Sequence, residues 1–123
     1  MKQEEKELLV KDLCARLPYR VKVFYEYVDS LNKKTYGYSL TLNTWCIDEM
    51  KAEKAVVKPY LFPLSSMTEE QKEEHKDLLD NQYRFDANGN VFTLQDFYCK
   101  YHIDYRGCIS MGLALDATGL KIY

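Results

Sequence analysis

Residues 20–28 read Arg-Val-Lys-Val-Phe-Tyr-Glu-Tyr-Val, and they alternate with the two-residue period of a β-strand. One side of this segment is apolar or aromatic throughout, and its members are Val21, Val23, Tyr25 and Tyr27. Residues 36–42 repeat the alternation after a polar turn at residues 29–34. Two alternating segments joined by a short polar turn predict neighbouring antiparallel strands with one buried face.

Three further segments extend the predicted sheet. Residues 43–44 are predicted to form a turn or a bulge, and residues 45–47, Trp-Cys-Ile, a short strand after it. The polar residues 48–54 are predicted to form a loop. Residues 55–62 are expected to be extended, because prolines within and directly after them favour a sheet edge. Residues 82–92 contain an Asn-Gly pair between apolar segments, which predicts a β-hairpin because both residues tolerate positive φ.

A helix is predicted at residues 3–17, where apolar residues recur every three to four positions. The apolar face comprises Leu9, Val10, Leu13, Cys14 and Leu17. Arg16 is expected to face water near the end of the helix, where a positive charge suits the helix dipole. Pro18 ends the helix, because the residue before a proline avoids the helical region.

Two more helices are predicted from their capping residues. One begins after Ser66 or Thr68, since each has a Glu or Gln three residues later, and acidic residues fill its first turns. The other begins after Thr93, which has Asp96 at the same spacing. We therefore predict an α+β fold with an N-terminal helix, two further helices and an antiparallel sheet of about four to five strands, in a single domain formed by residues 1–123.

The charge of the chain is nearly balanced, with a net charge of −2 over 123 residues. Residues 1–62 carry 11 basic and 9 acidic side chains, whereas residues 63–123 carry 6 basic and 10 acidic ones. This distribution excludes a strongly basic protein that binds nucleic acid over its whole surface. No export signal or long apolar segment is visible, so we expect a cytoplasmic protein without membrane contact.

The four cysteines are widely spaced, which favours reduced thiols that pack in or near the core. Cys99 and His102 lie three residues apart in the third predicted helix, and Cys108 follows six residues later. This spacing permits the start of a zinc site or a Cys–His catalytic pair. The local sequence supplies neither a fourth ligand nor a group that orients the histidine, so we expect no metal and no cofactor.

Eleven tyrosines are the most unusual feature of the composition. Because those of the two alternating segments share a face with Val21 and Val23, most are predicted to pack in the sheet. The alternative is an aromatic and basic surface for single-stranded nucleic acid, since bases stack on tyrosine and lysines contact phosphate. Its members would be Lys22, Lys33, Lys34, Tyr25 and Tyr36, together with Tyr27 and Tyr38.

Three parts of the chain resemble a family of small uncharacterised proteins from gut Bacteroidetes and their phages. The first is residues 13–23, the second is residues 57–70, and the third is residues 101–109 followed by 112–115. The most recognisable segments are Lys-Pro-Tyr-Leu-Phe-Pro-Leu-Ser-Ser-Met-Thr-Glu-Glu at 58–70 and Asp-Tyr-Arg-Gly at 104–107. Phe62 stands where family members usually carry arginine, and Arg20 stands where they carry glycine. The resemblance implies a prophage or mobile-element setting and no particular activity.

We therefore expect a non-enzymatic protein-interaction module of a phage or mobile element, whose partner is a host or phage protein. The predicted contact surface surrounds the turn at 104–107, because arginine and tyrosine are typical interface anchors. Its candidate residues are Tyr60, Asp104, Tyr105 and Arg106. The alternative for this turn is a structural role, in which Asp104 and Arg106 pair with nearby backbone or with each other. The alternative function is a nucleic-acid-binding accessory protein that uses the aromatic and basic surface.

Overall fold

Four helices and seven strands form the fold in a computed structural model that describes residues 1–123. The helices are α1 (Gln3–Arg16), α2 (Thr44–Lys51), α3 (Glu69–Asn81) and α4 (Leu94–Lys100). The strands are β1 (Lys22–Val28), β2 (Thr35–Thr41), β3 (Ala55–Pro63), β4 (Tyr83–Phe85), β5 (Val91–Thr93), β6 (Ile103–Asp104) and β7 (Leu115–Asp116). The predicted α+β class is confirmed. None of the helices combines the length and apolar character needed to cross a bilayer.

The main sheet has the order β2-β1-β3-β6, and β7 also pairs with β3. β1 runs antiparallel to β2 and β3, whereas β6 and β7 run parallel to β3. The sheet is therefore mixed, and the prediction of a purely antiparallel sheet was wrong. The reason is that the chain leaves β3 through α3 and α4 before it returns, and such a crossover brings the next strand back in the same direction. β4 and β5 form the predicted hairpin as a separate two-stranded sheet.

Helix α2 replaces the strand predicted at 45–47 and the loop predicted after it. The side-chain oxygen of Asn43 accepts a hydrogen bond from the Cys46 backbone N–H at 2.9 Å, which caps the helix. Cys46, Ile47 and Met50 then point into the core, at helical spacing. A three-residue apolar segment does not distinguish a strand from a buried helical turn, and for this reason the strand predicted at 45–47 was wrong.

The other predicted caps are confirmed, and a threonine is the N-cap in each case. Thr68 accepts a hydrogen bond from the Gln71 N–H at 3.1 Å, and its own N–H donates to the Gln71 side chain at 3.0 Å. Thr93 and Asp96 form the same reciprocal pair at the start of α4. Ser66, the other candidate for the first of these caps, instead donates to the Pro63 carbonyl.

Two apolar clusters hold these elements together. The larger one lies between one face of the main sheet and the helices α1 and α2. The smaller one consists of Leu78 from α3, Phe97 from α4 and Ile103 from β6, with partly buried residues around it.

The face of helix α1 that packs against the core differs from the predicted face. Its buried positions are Leu9, Asp12, Leu13 and Arg16, whereas Cys14 is exposed. A charged pair therefore occupies the face that was predicted to be wholly apolar, and Arg16 does not face water. The spacing 9, 12, 13, 16 is that of one helical face, so the helix prediction itself is confirmed.

Candidate functional site

Five aromatic side chains gather where the sheet face extends past the helices, and we call this site the aromatic groove. Its members are Tyr25 and Tyr27 of β1, Tyr36 and Tyr38 of β2, and Trp45 of α2. The antiparallel register places Tyr25 opposite Tyr38 and Tyr27 opposite Tyr36. The Tyr25 ring centroid lies 5.1 Å from that of Trp45 and 5.5 Å from that of Tyr38. These separations are those of favourable tilted aromatic pairs.

The aromatic groove has a buried floor and exposed walls. Tyr25 is only 4% exposed, whereas Tyr36, Tyr38 and Trp45 are 40%, 46% and 49% exposed. The space beside Tyr25, Tyr38 and Trp45 has a volume of about 770 Å³. Because three large rings keep much of their surface in water, the groove offers apolar area that a partner can bury.

The polar side chains of the aromatic groove are mostly acidic. Asp29 and Glu49 line it together with one ammonium group, that of Lys54. Burial, and after it the Glu49 carboxylate, raises the pKa of the Tyr25 hydroxyl above its ordinary value of 10.0. A carboxylate beside aromatic faces attracts a cation, because the faces of the rings also carry negative electrostatic potential.

The candidate residues of the turn at 104–107 are mostly occupied inside the protein. The Asp104 carboxylate is buried and accepts hydrogen bonds from the backbone N–H groups of Cys108 at 2.8 Å and Ile109 at 2.9 Å. The Arg106 Nε donates to Asp12 at 3.1 Å, and its Nη2 donates to the Tyr105 hydroxyl at 2.9 Å. These bonds hold the turn against α1, so little of the polar surface remains for a partner.

Tyr60, the remaining candidate of that surface, is also buried. Its hydroxyl lies 2.9 Å from the hydroxyl of Ser39, on the sheet face opposite the aromatic groove. Its carbonyl accepts a hydrogen bond from the Tyr123 hydroxyl at 2.8 Å. Tyr60 therefore joins β2, β3 and Tyr123, and its hydroxyl is already paired inside the protein.

A buried ion pair, which the sequence analysis missed, anchors this region. Arg16 and Asp12 are both fully buried, and the Arg16 Nε donates to the Asp12 carboxylate at 2.8 Å. The Arg16 Nη2 donates to the Ile103 carbonyl at 2.6 Å, and the Tyr105 ring lies against the guanidinium group. The spacing of Asp12 and Arg16, four residues apart, is the one local signal that would have indicated the pair.

The Cys99, His102 and Cys108 side chains do not form a metal site. No group of three His, Cys, Asp or Glu side chains in residues 1–123 is placed to hold one metal ion. Burial raises the pKa of the Cys99 thiol, and it raises that of Cys108 to about 12. A thiol with a raised pKa stays protonated near neutral pH and is a poor nucleophile. The raised pKa values therefore do not favour either thiol as the nucleophile of a Cys–His pair.

His102 is held in its neutral form inside the protein. Burial, and after it the Arg16 charge, lowers its pKa from the ordinary value of 6.5 to about 4. Its ring stacks on Tyr123 with the centroids 3.9 Å apart, and its Nδ1 is buried without a hydrogen-bond partner. His102 adopts φ 56°, the left-handed region that few residues other than glycine and asparagine tolerate.

We expect acid to destabilise the protein through His102. The unfolded chain takes up this proton near pH 6.5 and the folded chain only near pH 4, so the free energy of unfolding falls as pH drops through that interval. His102→Asn keeps the left-handed backbone and removes the titrating group. The free energy of unfolding, measured with urea at pH 7 and at pH 4.5, should fall less between these two pH values in the variant than in the wild type. Equal losses in the two proteins would contradict this prediction.

The predicted nucleic-acid surface is divided between different parts of the sheet. Lys22 alternates onto the face opposite Tyr25, while Lys33 and Lys34 lie in the turn between β1 and β2. Only Tyr36 combines an exposed ring with a position beside those two lysines. The carboxylates of the aromatic groove also repel phosphate, so the structure does not unite aromatic and basic side chains on one surface.

Comparison with protein-family models, with curated proteins and with solved structures finds no match to this chain. The resemblance carried by residues 13–23, 57–70, 101–109 and 112–115 stays a prediction. A function is therefore best sought in the chemistry of the aromatic groove.

Proposed function

We propose that the protein is a non-enzymatic protein-interaction module, and that its aromatic groove binds an arginine-bearing segment of another protein. The observation that carries this proposal is the buried Tyr25 between the exposed rings of Tyr38 and Trp45, with Glu49 lining the same groove. Aromatic side chains contribute large contact areas at low entropic cost, and they are enriched among the anchors of protein interfaces.

The charge and geometry of the groove favour arginine in the partner. A guanidinium group stacks on aromatic faces and pairs with a carboxylate at the same time. Two carboxylates against one ammonium group line the groove, so a cation is attracted and an acidic partner is repelled. Together with the resemblance to proteins of gut Bacteroidetes and their phages, this makes a host or phage protein the proposed partner.

Selection from a random peptide library displayed on phage tests the proposal. We expect the selected peptides to contain arginine, and replacing that arginine by its neutral isostere citrulline should weaken binding about 10-fold, in line with a cation–π contact and a carboxylate contact. Trp45→Ala should weaken binding of the same peptides about 100-fold, as expected for a central aromatic anchor.

Phe85→Ala is the matched control, because Phe85 is an exposed aromatic residue of β4 outside the aromatic groove. It should leave peptide binding unchanged. Selected peptides that bind the wild type and Trp45→Ala equally would contradict the proposal, as would a selection dominated by acidic peptides. Circular dichroism of each variant shows whether its fold is retained.

A further inference from the structure

Strand β2 forms one edge of the main sheet, and half of its backbone groups face outward. The Leu42 N–H donates to the Val21 carbonyl at 2.9 Å, and the Asp29 N–H donates to the Lys34 carbonyl at 2.8 Å. These bonds mark the hydrogen-bonded pairs of the ladder, which recur at every second residue. By this alternation, Tyr36, Tyr38 and Leu40 bond to β1. The residues whose N–H and C=O groups point away from the sheet are Thr35, Gly37, Ser39 and Thr41.

Nothing in the sequence of β2 protects this edge. Residues 35–41 contain no charge and no proline, which are the usual means of blocking strand addition. All of these residues except the half-buried Leu40 are exposed. The strand covers seven residues, which is long enough to pair along its whole length with another strand.

We infer that β2 pairs antiparallel with β2 of a second copy of this chain, about a twofold axis through Tyr38. In this register Thr35 lies opposite Thr41 of the second copy, and Gly37 lies opposite Ser39. Every outward-facing N–H and C=O group of the strand then has a partner, and each contact is repeated by the symmetry. Tyr38 meets Tyr38 of the second copy in a non-hydrogen-bonded pair, where side chains approach most closely.

The charges around the strand agree with this register. No charged side chain lies within 35–41, so self-pairing places no like charges opposite each other. Lys33 and Lys34 lie beyond one end of the strand, and the twofold axis carries their copies to the opposite end. A register centred on Gly37 also pairs outward-facing groups, but it would place Lys33 opposite Thr41 of the second copy. Lys33 has a φ of 59°, which lies outside the extended region. The ladder in that register is therefore shorter.

Pairing of the two edges would place the two aromatic grooves side by side. Tyr36 and Tyr38 lie on the groove face of β2, so those of both copies would line one continuous surface. This inference concerns the strand edge and does not depend on what the groove binds. A dimer without peptide binding, or peptide binding by a monomer, would separate the two proposals.

Sedimentation velocity of the full chain under reducing conditions tests the inference over concentrations from micromolar to millimolar. Reduction prevents exposed Cys14 from linking two copies through a disulfide. We expect a concentration-dependent dimer for the wild type. Ser39→Pro removes a backbone N–H that points away from β1, and it breaks no hydrogen bond to β1. The variant should therefore keep the fold and weaken dimerisation about 100-fold or more.

Ser39→Ala is the matched control, since both variants lose the contact between the Ser39 and Tyr60 hydroxyls but only the proline blocks the edge. The alanine variant should dimerise like the wild type. If the proline variant does not fold, Ser39→Lys serves instead, because it places two like charges near the twofold axis. A wild type that stays monomeric up to millimolar concentration would overturn the inference, and so would equal dimerisation by the lysine and alanine variants.

Discussion

Asp12→Ala is expected to lower the free energy of unfolding by about 3–5 kcal/mol, because it leaves a buried guanidinium group without its carboxylate. Arg16 is fully buried, and its Nε has Asp12 as its partner. Arg106 bonds to the same carboxylate, so the variant also releases the turn at 104–107 from α1. Urea unfolding followed by circular dichroism measures the loss.

A double variant distinguishes the ion pair from simple packing. Asp12→Leu combined with Arg16→Met replaces both charges by apolar groups, and such replacements are often neutral or stabilising. Arg106 retains some solvent exposure and can reorient toward water. We expect the double variant to recover most of the stability that Asp12→Ala loses. A double variant no more stable than Asp12→Ala would show that the region needs the charges themselves.

Phe97→Ala is expected to destabilise the fold by a similar amount, about 3–5 kcal/mol, through the cavity that it leaves. Phe97 is fully buried at the centre of the smaller apolar cluster, where its ring lies 5.6 Å from that of His75 and 5.1 Å from that of Tyr101. Helix α3 contributes only Leu78 as a fully buried side chain, so it depends on Phe97 for its docking.

Urea unfolding and amide hydrogen exchange together test this second prediction. The amides of α3 should lose protection in Phe97→Ala before those of β1 and β3 do, because the larger apolar cluster is untouched. Phe97→Leu is the control and should cost less, about 1–2 kcal/mol, since it fills most of the volume. Unchanged protection of α3 in the alanine variant would contradict the expected role of Phe97.

The features that were predicted from the sequence depend on neighbouring residues. The caps at Thr68 and Thr93 involve contacts three residues apart, and the β1–β2 pairing follows from one turn. Each is therefore visible as a local pattern. The alternation of residues 20–28 also placed the tyrosines on one face, although it did not indicate which of them would remain exposed.

The features that were missed depend on residues far apart in the chain. β6 and β7 pair with β3 over two residues each, which leaves no periodic signal. Arg16 was predicted to face water because a lone arginine near a helix end usually does so. Its burial requires Asp12 on the same face of the helix and the Ile103 carbonyl, which lies 87 residues later in the chain. The same contacts give the turn at 104–107 a structural role, which its local sequence allowed beside a binding role.

The Arg16 and Arg106 contacts have a consequence for synthesis of the protein. Arg16 bonds to a carbonyl 87 residues later, and Asp12 bonds to a side chain 94 residues later. A nascent chain that has emerged only as far as α4 lacks both partners, so the charged face of α1 has no place to be buried. Contacts of such long separation also form slowly. We expect the Arg16 and Asp12 side chains to reach their final buried positions only after β6 and the turn after it have been translated.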